Sequence, residues 1–350
     1  MRAPRWPAAL GLALLAASAA VAADRLDGFP DLARRFAGTA DPAAQAEAAA
    51  EIAQMVDAEI LESLRAGGPF ASAAFIQGRL DALGDEWGGA DFRIVQVPGA
   101  SGDGLTLGLL TLTRDQPWGS LRIYGAGPAA ALLGSSSHDG GPELRAWRQP
   151  RGAHAEWLAT WVGPPDGRGS RRLTIELWRQ SGPATVARTW SSESAFPDGL
   201  QASDWRVGDG MLRLRYETRY PGWQPGCADQ TEREDVWATS ARTAGLSLQN
   251  RRVLNGWHRE LHAAVDRLFA ALDASDREVL TALVPDPALR ARLPRALRAD
   301  PVCDVRPPDA PGTVVVGATR VEGDRLAPWS LAWRRGPRGW RLTAATPVLQ

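Results

Sequence analysis

Residues 173–178 read Leu173-Thr174-Ile175-Glu176-Leu177-Trp178. Aliphatic side chains alternate with threonine, glutamate and tryptophan. A period of two is that of an extended strand, whose successive side chains point to opposite faces. One face is aliphatic, and Trp178 shares the other with Thr174 and Glu176. Downstream, Leu212, Leu214 and Tyr216 alternate with Arg213, Arg215 and Glu217. Upstream, Leu105, Leu107 and Leu109 share one face, and Leu110 and Leu112 continue on the other. That switch predicts a bulge or a strand buried on both faces. Gly208-Asp209-Gly210 and the glycine-rich stretch 164–169 mark turns between these runs. Residues 89–253 therefore predict antiparallel strands in a β-sandwich or an open barrel.

The flanks have a helical period. Asp41-Pro42 opens a helix with an N-cap carboxylate and a proline at its first position. Ile52, Val56, Ile60 and Leu64 form one stripe, which Gly67-Gly68 ends. A second helix over about 71–83 makes a hairpin whose narrow stripe must dock on something. Beyond the strands, Leu254, Trp257, Leu261, Val265, Leu268 and Leu272 mark another helical face. Shorter helices are predicted over 273–283 and 287–297, the second interrupted or restarted at Pro294. Strands follow over 313–319, 327–334 and 340–349, the last two joined by Gly336-Pro337-Arg338-Gly339. The expected class is α+β: a helical segment over 23–88, the antiparallel β region over 89–253, then helices and a curved antiparallel sheet over 254–350. No repeat of fixed period is seen.

Residues 1–22 read as a secretory signal peptide. Arg2 and Arg5 precede an uncharged apolar run from Ala8 to Ala20, and Ala20-Val21-Ala22 offers small residues for cleavage. The run is short of the ~20 residues a membrane helix needs. The expectation is a soluble periplasmic or secreted chain with no membrane anchor after cleavage. Cys227 and Cys303 suit an oxidising compartment and are expected to pair.

The 350 residues carry 40 basic and 40 acidic side chains, and every basic one is arginine. Without lysine, the chain cannot build a phosphate-binding P-loop, a pyridoxal Schiff base or a protein-kinase site. The balanced charge gives no field for nucleic acid. Locally the balance breaks. Residues 24–100 hold 13 acids and 6 arginines, whereas residues 251–350 hold 16 arginines and 11 acids.

Three groups carry candidate chemistry. His258 and His262 lie one helical turn apart, with Asp266 continuing the spacing, and could hold zinc. Glu260 is rotated roughly 100° from the base position of a metalloprotease helix. On this spacing His258 lies at the edge of the apolar face, and His262 and Asp266 turn toward solvent. Second, residues 135–141 form a polar loop, Ser-Ser-Ser-His-Asp-Gly-Gly, holding all three triad residue types but no nucleophile elbow. It suits a turn in which His138 touches a ligand. Third, tryptophan is abundant: Trp147, Trp157, Trp161, Trp178, Trp190 and Trp205 fall among the strands. Trp178 is a candidate for an exposed face that stacks on a sugar or grips a peptide. Trp223 lies in the rigid stretch Tyr220–Cys227. No carboxylate pair stands out among Glu176, Glu217, Glu232 and Asp235.

These signs favour an exported binding or envelope-associated module whose partner is an envelope protein, a peptide or a glycan. A periplasmic hydrolase, metal-assisted or carboxylate-based, is the alternative.

Overall fold

The structure, a computed structural model, describes residues 28–87, 89–97, 104–113, 117–147, 155–166, 169–239, 245–322 and 325–348. Residues 1–22, expected from the sequence to be a signal peptide, lie outside the described residues.

Three helices come first: α1 (Phe29–Gly38), α2 (Pro42–Ala66) and α3 (Ala73–Trp87). Asp41 caps α2 by accepting from the Ala43 N–H at 3.0 Å, and Gly67 ends it with φ +70°. Strands β1 (Ala90–Val97), β2 (Leu105–Thr113), β3 (Pro117–Tyr124) and β4 (Leu132–Asp139) then form an antiparallel meander. The stripe of α2 and residues of α1 and α3 pack on one face of this sheet, against Phe92, Leu110, Leu112 and Tyr124. Beneath it the Arg122 guanidinium donates to Asp57, from Nε at 2.9 Å, and the Tyr124 hydroxyl donates to the same carboxylate at 2.6 Å.

The second sheet has eight strands. They are β5 (Gly141–Ala146), β6 (Glu156–Pro165), β7 (Arg171–Gly182), β8 (Thr185–Ser191), β9 (Gln201–Gly208), β10 (Met211–Glu217), β11 (Glu232–Thr239) and β12 (Leu246–Leu254). Their order is β12-β11-β10-β9-β7-β6-β5, with β8 also on β7. A short helix, α4 (Ser192–Ala195), follows β8. The two sheets face each other across a shared core. Leu105, Leu107, Leu109, Leu121 and Ile123 from the first meet Trp157, Ala159, Trp161 and Trp178 from the second. The barrel is not closed; the arrangement is the sandwich. β2 is buried on both faces and its pairing with β1 and β3 is continuous, so the switch at Leu109–Leu110 needs no bulge.

The corner between the sheets is Gly140, at φ +108°. A methyl there would stand 2.7 Å from the carbonyl carbon and oxygen of Val162, so no other residue fits.

The chain leaves β12 through Asn255, in a left-handed conformation, and enters α5 (Gly256–Ala274). Two short helices follow, α6 (Arg277–Leu283) and α7 (Pro287–Arg292). Then come β13 (Leu297–Ala299), β14 (Thr313–Glu322), β15 (Arg325–Gly336) and β16 (Gly339–Pro347), a four-stranded antiparallel sheet. Its core joins Leu261, Val265 and Leu268 of α5 to Val316, Leu331, Trp333 and Leu342. The helix predicted over 287–297 stops at Arg292. Pro294 forces Leu293 into an extended conformation, and Leu297 starts a strand instead. Among the described residues no helix is long and apolar enough to cross a membrane.

Candidate functional site

Residues 132–139 are not a loop: they are β4, paired to β3 from Trp118↔Asp139 to Tyr124↔Leu132. Backbone pairing in the sheet overrides a serine-rich sequence. Ser136 and His138 then share the face turned to the second sheet. There they meet Glu176 of β7, whose side chain is 0% exposed. Glu176 Oε1 accepts from Ser136 Oγ at 2.8 Å and Arg188 Nη1 at 2.5 Å, and lies 3.0 Å from His138 Nε2. Its Oε2 accepts from Trp178 Nε1 at 2.9 Å. Burial works to raise the Glu176 carboxyl, but hydrogen bonds from His138, Arg188 and Ser136 together hold it below the usual range.

Ser136 Oγ lies 3.0 Å from His138 Nε2, but the same nitrogen lies 3.0 Å from Glu176 Oε1, to which the Ser136 hydroxyl donates. His138 Nδ1 lies 3.5 Å from Glu193 Oε1. Ser136 is thus engaged with the buried carboxylate rather than free for attack. The cluster pins one sheet to the other.

Trp178 is 6% exposed and packs between the sheets, so it presents no stacking face. The polar face of its strand is interior because the first sheet covers it. Trp147, Trp157 and Trp161 are buried too, and Trp190 and Trp205 pack against the core on the other side of the second sheet. These tryptophans form no exposed row. Trp223 is half-buried, with the Arg219 guanidinium 5.5 Å from its ring centroid.

A cleft lies elsewhere. It has a volume of about 880 Å³ and runs along β9 and β10, the residues after α4, the loop after β10, and the first turn of α5. Five arginines line it: Arg172, Arg219, Arg233, Arg251 and Arg259. Two carboxylates, Asp198 and Glu217, also line it. Arg251 is held rigidly. Its Nε and Nη2 donate to Oδ1 and Oδ2 of buried Asp235, each at 2.8 Å. Those bonds raise the guanidinium further above its ordinary range. Tyr216 donates to Asp235 Oδ2 at 3.0 Å, and burial, with the Asp235 charge, pushes its phenol up.

Tyr220 lines the cleft and reaches behind it. Its hydroxyl accepts from the Thr231 N–H at 2.9 Å and lies 2.7 Å from His258 Nδ1. Burial raises this phenol first, against the Thr231 hydrogen bonds. Both histidines of α5 point inward: His258 is 3% exposed and His262 is 5% exposed. The expectation that His262 faces solvent is corrected, because the chain folds a loop from β10 over that face. Asp266 does remain exposed and is not part of the cluster. The carboxylate that meets both rings is Asp304. Its Oδ2 lies 3.1 Å from His258 Nε2 and 2.8 Å from His262 Nε2.

Asp304 is brought there by the disulfide of its neighbour. Cys227 and Cys303 are bonded, with Cα atoms 5.2 Å apart and a sequence separation of 76. The sequence reading passed over Asp304; an acid directly after a paired cysteine was the available signal. The five arginines left no local signal, being spread over four strands or loops and a helix.

No family model, curated protein or solved structure matches the chain.

Proposed function

We propose that the protein is an exported binding module that holds an anionic ligand, a peptide or glycan bearing carboxylate or phosphate groups, in the arginine cleft. The excess of five arginines over two acids in the lining of one cleft carries this reading. Guanidinium groups match carboxylate and phosphate oxygens in paired hydrogen bonds. Arg251 is preorganised by Asp235, so it loses little freedom on binding. The volume suits one small ligand or the end of a chain. Export rests on the character of residues 1–22, and the disulfide is compatible with an oxidising compartment.

The hydrolase alternative finds less support. Glu176 is saturated with donors, and the two histidines are shut away from the cleft by Tyr220.

The test is calorimetric titration of the mature protein with oligogalacturonate, oligoglutamate and pyrophosphate at low salt. At least one binds, with affinity falling as salt rises, and the Arg233→Gln/Arg259→Gln double variant weakens it tenfold or more. Failure of all three to bind, or equal affinity in the variant, overturns the proposal.

A further inference from the structure

We propose that His258, His262 and Asp304 form a binding site for one divalent transition-metal ion of the zinc class. The site is independent of what the cleft binds. His258 and His262 sit one turn apart on α5 with rings stacked at 27° and centroids 4.6 Å apart. Both direct Nε2 at the same oxygen of Asp304, at 3.1 and 2.8 Å, and the three donor atoms lie within 4.8 Å of one another. Donors around a tetrahedral zinc ion with bonds near 2.0–2.1 Å stand roughly 3.3 Å apart. The two edges to Asp304, at 3.1 and 2.8 Å, need to open by only a few tenths of an ångström to reach that spacing.

The donor set decides the class. Two imidazoles and one carboxylate suit zinc and its neighbours, whereas calcium and magnesium take oxygen ligands. His258 also has the outer partner that metal-bound imidazoles use. When Nε2 binds metal, its proton moves to Nδ1, and Nδ1–H can donate to Tyr220, which the Thr231 N–H fixes from behind. His262 Nδ1 has no hydrogen-bond partner among the described residues, so that ring is held by packing against Gly222.

The role follows from burial. The side chain of Asp304 is 8% exposed, so all three ligands are almost sealed from solvent. Three protein ligands leave a fourth position, which at this depth a water molecule rather than substrate would fill, so the ion would be structural. The ion would clasp α5 to the segment that carries Cys303, and through Tyr220 would steady one wall of the cleft.

The experiment uses mature, disulfide-intact protein stripped of metal with a chelator and shown by circular dichroism to be folded. Titration with Zn²⁺ is followed by calorimetry and by thermal unfolding, with Mg²⁺ as comparison. The expected result is one equivalent of Zn²⁺ bound, a raised Tm, and no response to Mg²⁺. Asp304→Asn weakens binding tenfold or more, whereas Asp266→Asn leaves it unchanged. If Asp304→Asn does not fold, His262→Gln takes its place with the same expected loss. No Zn²⁺ uptake by the folded wild type overturns the proposal. So does uptake that Asp266→Asn weakens as much as Asp304→Asn or His262→Gln.

Discussion

Gly222 lies directly against the ring of His262: a methyl at position 222 would stand 1.8 Å from Nδ1. Gly222 also has φ +82°, a conformation that side chains resist. Gly222→Ala is therefore expected to cost about 2–4 kcal/mol, from overpacking and backbone strain together. Urea unfolding checks this, and a loss below about 1 kcal/mol would show that the loop moves aside freely.

Gly140 at the corner of the sandwich meets a harder wall. Its missing Cβ faces the backbone of Val162, which cannot swing away as a side chain can. Gly140→Ala is expected to destabilise by about 3 kcal/mol or to prevent folding. Gly141, its neighbour, has open space around its Cβ. Gly141→Ala should cost less than about 1 kcal/mol, so thermal melts of the pair test the corner directly.

Glu176 gives the fold a dependence on acid. Its carboxyl is held below the ordinary range in the folded chain, so its ionised form stabilises the fold at neutral pH. That contribution is complete above the unfolded value, about 4.3, and drains away as pH falls through the lower folded value. Wild type should therefore exceed Glu176→Gln in unfolding free energy, measured by urea titration at pH 7, by about 3 kcal/mol. The gap should narrow as pH drops toward 3. A gap that is constant from pH 7 to pH 3 would refute the assignment.

The disulfide closes a stretch of 76 residues. Chain entropy alone gives a stabilisation of about 4.5 kcal/mol for such a loop. Cys227→Ser/Cys303→Ser should lower stability by a comparable amount. It should also loosen Asp304 from the two histidines. The imidazole resonances of His258 and His262 should shift in the NMR spectrum of the reduced protein, and unchanged resonances would separate the two features.

The period-two run at 173–178 did locate a strand and its two faces, because alternation is a local property of the backbone. The environment of the second face was not local. Glu176 and Trp178 look like a solvent face until a sheet from residues 90–139 is laid over them. The same limit governed the histidines. Spacing on one helix pointed to Asp266, four residues on, whereas the carboxylate that meets them lies 42 residues away from His262. The pairing of Cys227 with Cys303, together with the Val305–Val315 bridge to β14, brings it back. Helix caps at Asp41 and the break at Gly67 were legible for the opposite reason: their chemistry is complete within a few residues.

The Cys227–Cys303 link also changes what a break in the chain means. The closed ring contains β11, β12, α5, the two short helices after it and β13. A protease that cuts one peptide bond inside that ring releases nothing. The two pieces remain one molecule, and the cut stays silent until a reductant parts them.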